Sequence, residues 1–154
     1  MGNLMTKTIL KSFNYRFTSA MAGPFSDTCY SYHKGKLLYY NESILLKIGL
    51  DAKIEKIEKA IIHDISNNNN TYWKIITPSQ NEWDVFLNTL DELDVWSWKE
   101  DYCTDDLIMD GGGSNLQIVT NKNKLYTNMF YDFPDNFFEF SEAFDKLIKE
   151  QEEI

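Results

Sequence analysis

Five carboxylates, Glu100, Asp101, Asp105, Asp106 and Asp110, crowd eleven residues that run straight into three glycines, Gly111 to Gly113. Acids at such density can converge on a divalent cation, work as an acid–base pair, or meet a cationic partner. The glycines raise a fourth option, a phosphate cradle. That one fails, because a Walker loop needs a Lys and a Ser or Thr opening a helix, whereas "GGGSNLQIV" has no lysine and leads into β-branched residues. A dinucleotide fingerprint fails too, since its glycines must be spaced. The glycines read as a turn or bulge entering a strand.

The metal option is poorly served by the spacing. In "DYCTDDLIMDGG", Cys103 and Leu107 occupy positions where a calcium loop places ligands. The two cysteines and two histidines lie far apart without paired spacing, which speaks against zinc. A nucleophilic Cys–His pair would need Cys29 or Cys103 beside His33 or His63. Both histidines are expected at the surface, and Cys29 and Cys103 are expected as free thiols. No catalytic residue, metal or cofactor is assigned on these grounds. A metal-dependent enzyme using loop 100–110 stays as the alternative reading.

The cationic-partner option has more behind it. Trp96, Trp98 and Tyr102 stand next to Glu100, Asp101, Asp105, Asp106 and Asp110, and aromatic rings beside charge are common ingredients of interaction hot spots. The charge is also concentrated. Residues 1–81 carry ten basic against six acidic side chains; residues 82–110 carry one against ten; residues 111–154 carry four against eight. A field of that sign repels nucleic-acid phosphates and speeds encounter with a basic protein. Nucleic acid is therefore not an expected partner, and a basic protein is.

Nothing in the chain reads as a membrane anchor. No apolar run approaches the roughly 18 residues of a span, and the Met-Gly-x-x-x-Thr pattern at Gly2 and Thr6 has no polybasic patch beside it. A cytoplasmic protein is expected.

The elements that must hold these residues follow from periodicity. Phe13, Tyr15 and Phe17 alternate with polar residues, as in a half-buried strand. "TCYSYH", "KGK" and "LLYYN" form a hairpin with Gly35 in its turn. The segment from Ser43 to Ile48 is open between strand and loop. Ile54, Ile57, Ile61 and Ile65 mark an amphipathic helix, with Asp51 as its expected cap. "TYWKIIT" returns as a strand. Ser79 and Glu82 form a capping box opening a helix with Trp83, Phe86, Leu87, Leu90 and Leu93 on one stripe. "NLQIVT" and "LYTNMFY" pair around "NKNK", and Phe137, Phe140, Phe144, Leu147 and Ile148 stripe a last helix behind Asn136 and Glu139. The whole is one α+β domain over residues 1–154, with a mainly antiparallel sheet packed on two or three amphipathic helices and a fraying acidic tail from about residue 149.

Taken together, Trp83, Phe86, Leu90, Leu93, Val95, Trp96, Trp98, Tyr102, Asp110, Gly111, Leu116, Ile118, Phe133, Pro134, Phe137 and Phe140 resemble the pattern of a family of small, uncharacterised bacterial cytoplasmic proteins. The resemblance covers roughly residues 79–148, implies a fold, and supplies no catalytic residues. By analogy, small, acidic, cysteine-poor domains of this sort are similar to toxin-immunity proteins. The expectation is a protein-binding module that neutralises a basic toxin by occluding its active site. A structural or regulatory subunit is a further alternative.

Overall fold

Alternating side chains build the centre of the sheet. β1 (Leu10–Thr18) turns Phe13 and Tyr15 to one face, where both are buried, and Asn14 and Arg16 to the other. β2 (Thr28–His33) and β3 (Lys36–Asn41) form the expected hairpin. Lys34 and Gly35 both take positive φ, 50° and 83°, the geometry that lets a two-residue turn follow the twist of its strands. β4 (Lys74–Ile76), β5 (Asp101–Cys103), β6 (Gly113–Thr120) and β7 (Lys124–Phe130) complete a seven-stranded sheet in the order β4-β3-β2-β1-β6-β7-β5. Every pairing is antiparallel except β5 on β7. This is a computed structural model, and it describes residues 7–18, 27–67, 73–103 and 113–149.

Two helices cover the inner face. α3 (Gln80–Leu93) starts on the reciprocal capping box: Ser79 Oγ accepts the Glu82 N–H, and the Glu82 carboxylate accepts the Ser79 N–H. It buries Trp83, Phe86, Leu87 and Leu90. α4 (Phe137–Lys149) buries Phe140, Phe144 and Leu147. These pack on Phe13, Tyr15, Leu116, Ile118, Leu125 and Met129 of the strands. Phe13 stacks on Phe144 at 5.5 Å between centroids and meets Phe86 edge-on at 6.0 Å. Each such side chain contributes about 1.5–3 kcal/mol by leaving water.

A second, smaller core lies on the outer face, under α2 (Ile54–Ser66). Ile57 and Ile61 pack there on Cys29, Leu38 and Tyr40, with Ile44. Ile44 ends a short 3₁₀ turn (Glu42–Ile44), and the one-turn α1 (Leu45–Ile48) follows, so the open segment is helical. Asp51 does not cap α2. The helix begins later, behind Lys53, and no side chain caps it. Ile54 is half-buried and Ile65 exposed, so the buried stripe is the short pair in the middle.

His33 is the clearest departure from expectation. It shares the outer face with Cys29 and Ser31, and α2 covers that face, leaving His33 only 8% exposed. Its Nε2 lies 3.8 Å from Glu58 Oε1 on α2, and Lys36 pairs with the same carboxylate. A polar residue on a strand face is exposed only if nothing crosses it. His63, on the far side of α2, is exposed as expected. Among the described residues no helix is long and apolar enough to cross a membrane. The acidic tail from residue 150 lies outside the described residues.

Candidate functional site

The chain leaves α3 through a left-handed residue. Asp94 caps the helix with φ 50° and ψ 49°, and a 3₁₀ turn (Val95–Ser97) follows, with Val95 fully buried. This turn is what positions the two tryptophans. The Trp96 indole N–H donates to Asp91 Oδ1 at 2.9 Å, back across the end of the helix. The Trp98 indole N–H donates to Asn136 Oδ1 at 2.8 Å, while the same amide donates to the Leu93 carbonyl at 2.8 Å. Trp98 also meets Phe140 edge-on at 5.7 Å. Both indoles are half-buried at the margin of the core, each with one side still at the surface.

β5 then lays the next residues along the edge of the sheet. Alternation turns Tyr102 inward, where it is 9% exposed and packs with the main core. Tyr102 is therefore a supporting residue and not a surface contact: its hydroxyl accepts the Lys99 N–H at 3.0 Å, and the Lys99 ammonium stands 4.9 Å from its ring centroid. Glu100 and Asp101 are exposed. Asp105, Asp106 and Asp110 lie outside the described residues.

Asp101 sits at the end of a row that crosses the sheet. Register places Arg16 opposite Asn115, Asn115 opposite Asn128, and Asn128 opposite Asp101. The side chains follow the register: Asn115 Nδ2 donates to Asn128 Oδ1 at 2.6 Å, and Asn128 Nδ2 donates to Asp101 Oδ1 at 3.1 Å. At the other end Arg16 reaches Glu42 at 3.4 Å and Asp27 at 3.9 Å. Among the described residues no helix covers this outer face of β1, β6, β7 and β5. Gln117, Tyr126 (49% exposed) and Phe130 (37% exposed) share it.

The electrostatics of the edge are one-sided. Asp91, Glu92 and Asp94 gather at the carbonyl end of α3, and its last turn contains no basic residue. Negative charge there opposes the helix dipole. Among the described residues, no lysine or arginine comes within ion-pairing distance of Asp91, Glu92, Asp94, Glu100 or Asp101. Asp84, earlier on α3, has Lys7 at 3.7 Å.

Gly113, the last of the three glycines, opens β6, where the turn reading placed a strand entry. A Cβ on it would lie 2.9 Å from Phe130 Cδ2 and 3.0 Å from the Met129 carbonyl oxygen, so close approach to β7 requires glycine there. Among the described residues no three His, Cys, Asp or Glu side chains come together as a metal site. Cys29 and Cys103 are not joined in a disulfide; the first is buried and the second exposed.

Arg16, Asn115, Asn128, Tyr126 and Phe130 are not among the site residues expected from the sequence. Their signal was present as period-two alternation, since each lies opposite the apolar residues of its strand. What alternation alone does not reveal is that no helix lies over that half of the sheet. No protein-family model matches the chain, and no curated protein is detectably similar to it in sequence.

Proposed function

We propose that this chain is a protein-binding module and not an enzyme, and that its partner is a basic protein. The contact surface runs from Glu100 and Asp101 at the sheet edge, past the exposed sides of Trp96 and Trp98, onto the uncovered face with Asn115, Tyr126, Asn128 and Phe130. Asp105, Asp106 and Asp110 follow Asp101 in the chain and extend the same acidic segment.

The observation that carries this reading is the uncompensated charge beside fixed aromatics. Carboxylates at a helix C-terminus cost the fold stability, and those without a cation of their own favour a partner that supplies one. The indoles are held by Asp91 and Asn136, so little side-chain entropy is lost on binding. Tyr126, Phe130 and the amide row add apolar and hydrogen-bonding area.

The finer reading is an immunity protein of a bacterial cytoplasm, its carboxylates occupying the substrate-phosphate positions of a toxic effector. The test is affinity capture from lysate of the source cell, wild type against Glu100→Lys/Asp101→Lys. A basic protein held by the wild type at low salt, released at high salt and absent from the variant supports the reading. Identical capture by both chains defeats it.

A further inference from the structure

At the opposite end of the inner face, a cleft of about 430 Å³ opens between the end of α4 and strands β1 to β3. Five aromatic side chains line it, Tyr15, Phe17, Tyr30, Tyr39 and Phe144, beside Thr28, Ser141 and Ile148, with Asp145 completing the wall. The rings meet at steep angles in three pairs and at shallower ones in two, Tyr15 on Phe17 (44°) and Tyr30 on Tyr39 (38°). Tyr30 meets Phe144 at 87° and 4.9 Å, Phe17 meets Tyr30 at 77° and 6.2 Å, and Tyr15 meets Phe144 at 75° and 5.5 Å. Tyr30 and Tyr39 lie 4.7 Å apart. Phe17, Tyr30 and Tyr39 remain half-exposed, so part of each ring is open to the cleft or to water.

We infer that this cleft is an aromatic cage for an organic cation of diffuse charge, a quaternary ammonium or a methylated or guanidinium side chain. Phe17, Tyr30 and Tyr39 keep part of each ring accessible, and the quadrupoles of several rings lining one cleft suit a weakly hydrated cation. A carboxylate in the wall adds a charge that a neutral apolar ligand would not need. Asp145 is exposed, and among the described residues no lysine or arginine forms an ion pair with it, Lys149 one turn later included. One ring already attracts a cation within the chain: the Lys74 ammonium, from neighbouring β4, stands 5.9 Å from the Tyr39 centroid. The cleft shares no residue with the acidic edge, so the two readings stand or fall separately.

The test is calorimetric and NMR titration of the full chain with four probes. They are choline, the neutral alcohol 3,3-dimethylbutan-1-ol in which carbon replaces the ammonium nitrogen, an uncharged-ended peptide carrying one trimethyllysine, and another carrying one arginine. Saturable binding of a cation, at least about tenfold tighter than the neutral alcohol, supports the cage. Choline binding above both peptides assigns a free ammonium compound, and a tighter peptide assigns a protein side chain. Asp145→Asn, at an exposed position, is expected to weaken the cation several-fold and leave the alcohol unchanged, and Phe17→Leu to weaken every cation. Equal affinity for choline and the alcohol, no binding of any cation, or indifference to Asp145→Asn overturns the inference.

Discussion

The Trp98 indole N–H and the Asn136 side-chain oxygen meet at 2.8 Å across 38 residues of chain. Asn136 precedes α4 and also holds the Leu93 carbonyl, so one amide joins the end of α3, the 3₁₀ turn and the start of α4. Removing a partner from such a bond leaves a part-buried group unsatisfied, which costs about 1–3 kcal/mol. Trp98→Phe is expected to lower stability by an amount in that range, and Asn136→Ala by at least as much. Urea unfolding midpoints followed by circular dichroism check both.

The acids at the end of α3 make an opposite prediction. Glu92→Lys places a cation at the negative pole of the helix and is expected to stabilise the fold by about 0.3–1 kcal/mol. Asp94→Gly removes the Cβ cost of a left-handed residue and is expected to stabilise also. A fold that improves when these acids are lost is one that keeps them for another reason, which thermal melts can establish.

The buried thiol fixes an alkaline limit. Burial pushes the Cys29 thiol up to about 11 from its usual 9.0, and the nearby Arg16 guanidinium offsets this only in part. A folded-state pKa above the unfolded one means full stability below the unfolded value and loss as pH rises towards the folded value. Burial raises Tyr15 and Tyr40 in the same sense. Stability is therefore expected to hold up to about pH 9 and to fall between pH 9 and pH 11. The Cys29 share is about 2–3 kcal/mol. Urea midpoints across that window check the fall, and Cys29→Ala is expected to flatten it. A thiol reagent at pH 8 is expected to modify exposed Cys103 quickly and Cys29 only on unfolding.

Gly113→Ala drives a methyl group against the Met129 carbonyl and the Phe130 ring. The Phe130 ring is partly exposed and can move, but the backbone oxygen of β7 cannot. The expected cost is about 1–3 kcal/mol, read from the same unfolding midpoints.

These residues also separate what was legible in the sequence from what was not. α3 was legible because its signals are local: Ser79 and Glu82 meet within one turn, and Trp83, Phe86, Leu87 and Leu90 recur at helical spacing. The α+β class, the hairpin at Gly35 and the β6–β7 pair were legible for the same reason. β5 was not, because three residues pairing in parallel with a strand some 27 residues away leave no local mark. His33 looked like a surface residue because its burial depends on α2 crossing β2 and β3, which period two does not encode. Of the candidate site, composition located the acids and the tryptophans. The row from Arg16 through Asn115 and Asn128 to Asp101 needed strand register, which only tertiary pairing supplies.

That row gives the account its sharpest handle. Asn128→Ala removes the amide that holds Asp101 without changing the charge of the edge. Once the captured partner is in hand, its association rate should be measured against salt for the wild type, Asn128→Ala and Glu100→Lys/Asp101→Lys. The account predicts a steep salt dependence in the wild type and in Asn128→Ala, with faster dissociation in the latter, and a slow, nearly salt-independent association in the double variant. An association rate that is the same in all three chains and indifferent to salt would contradict it.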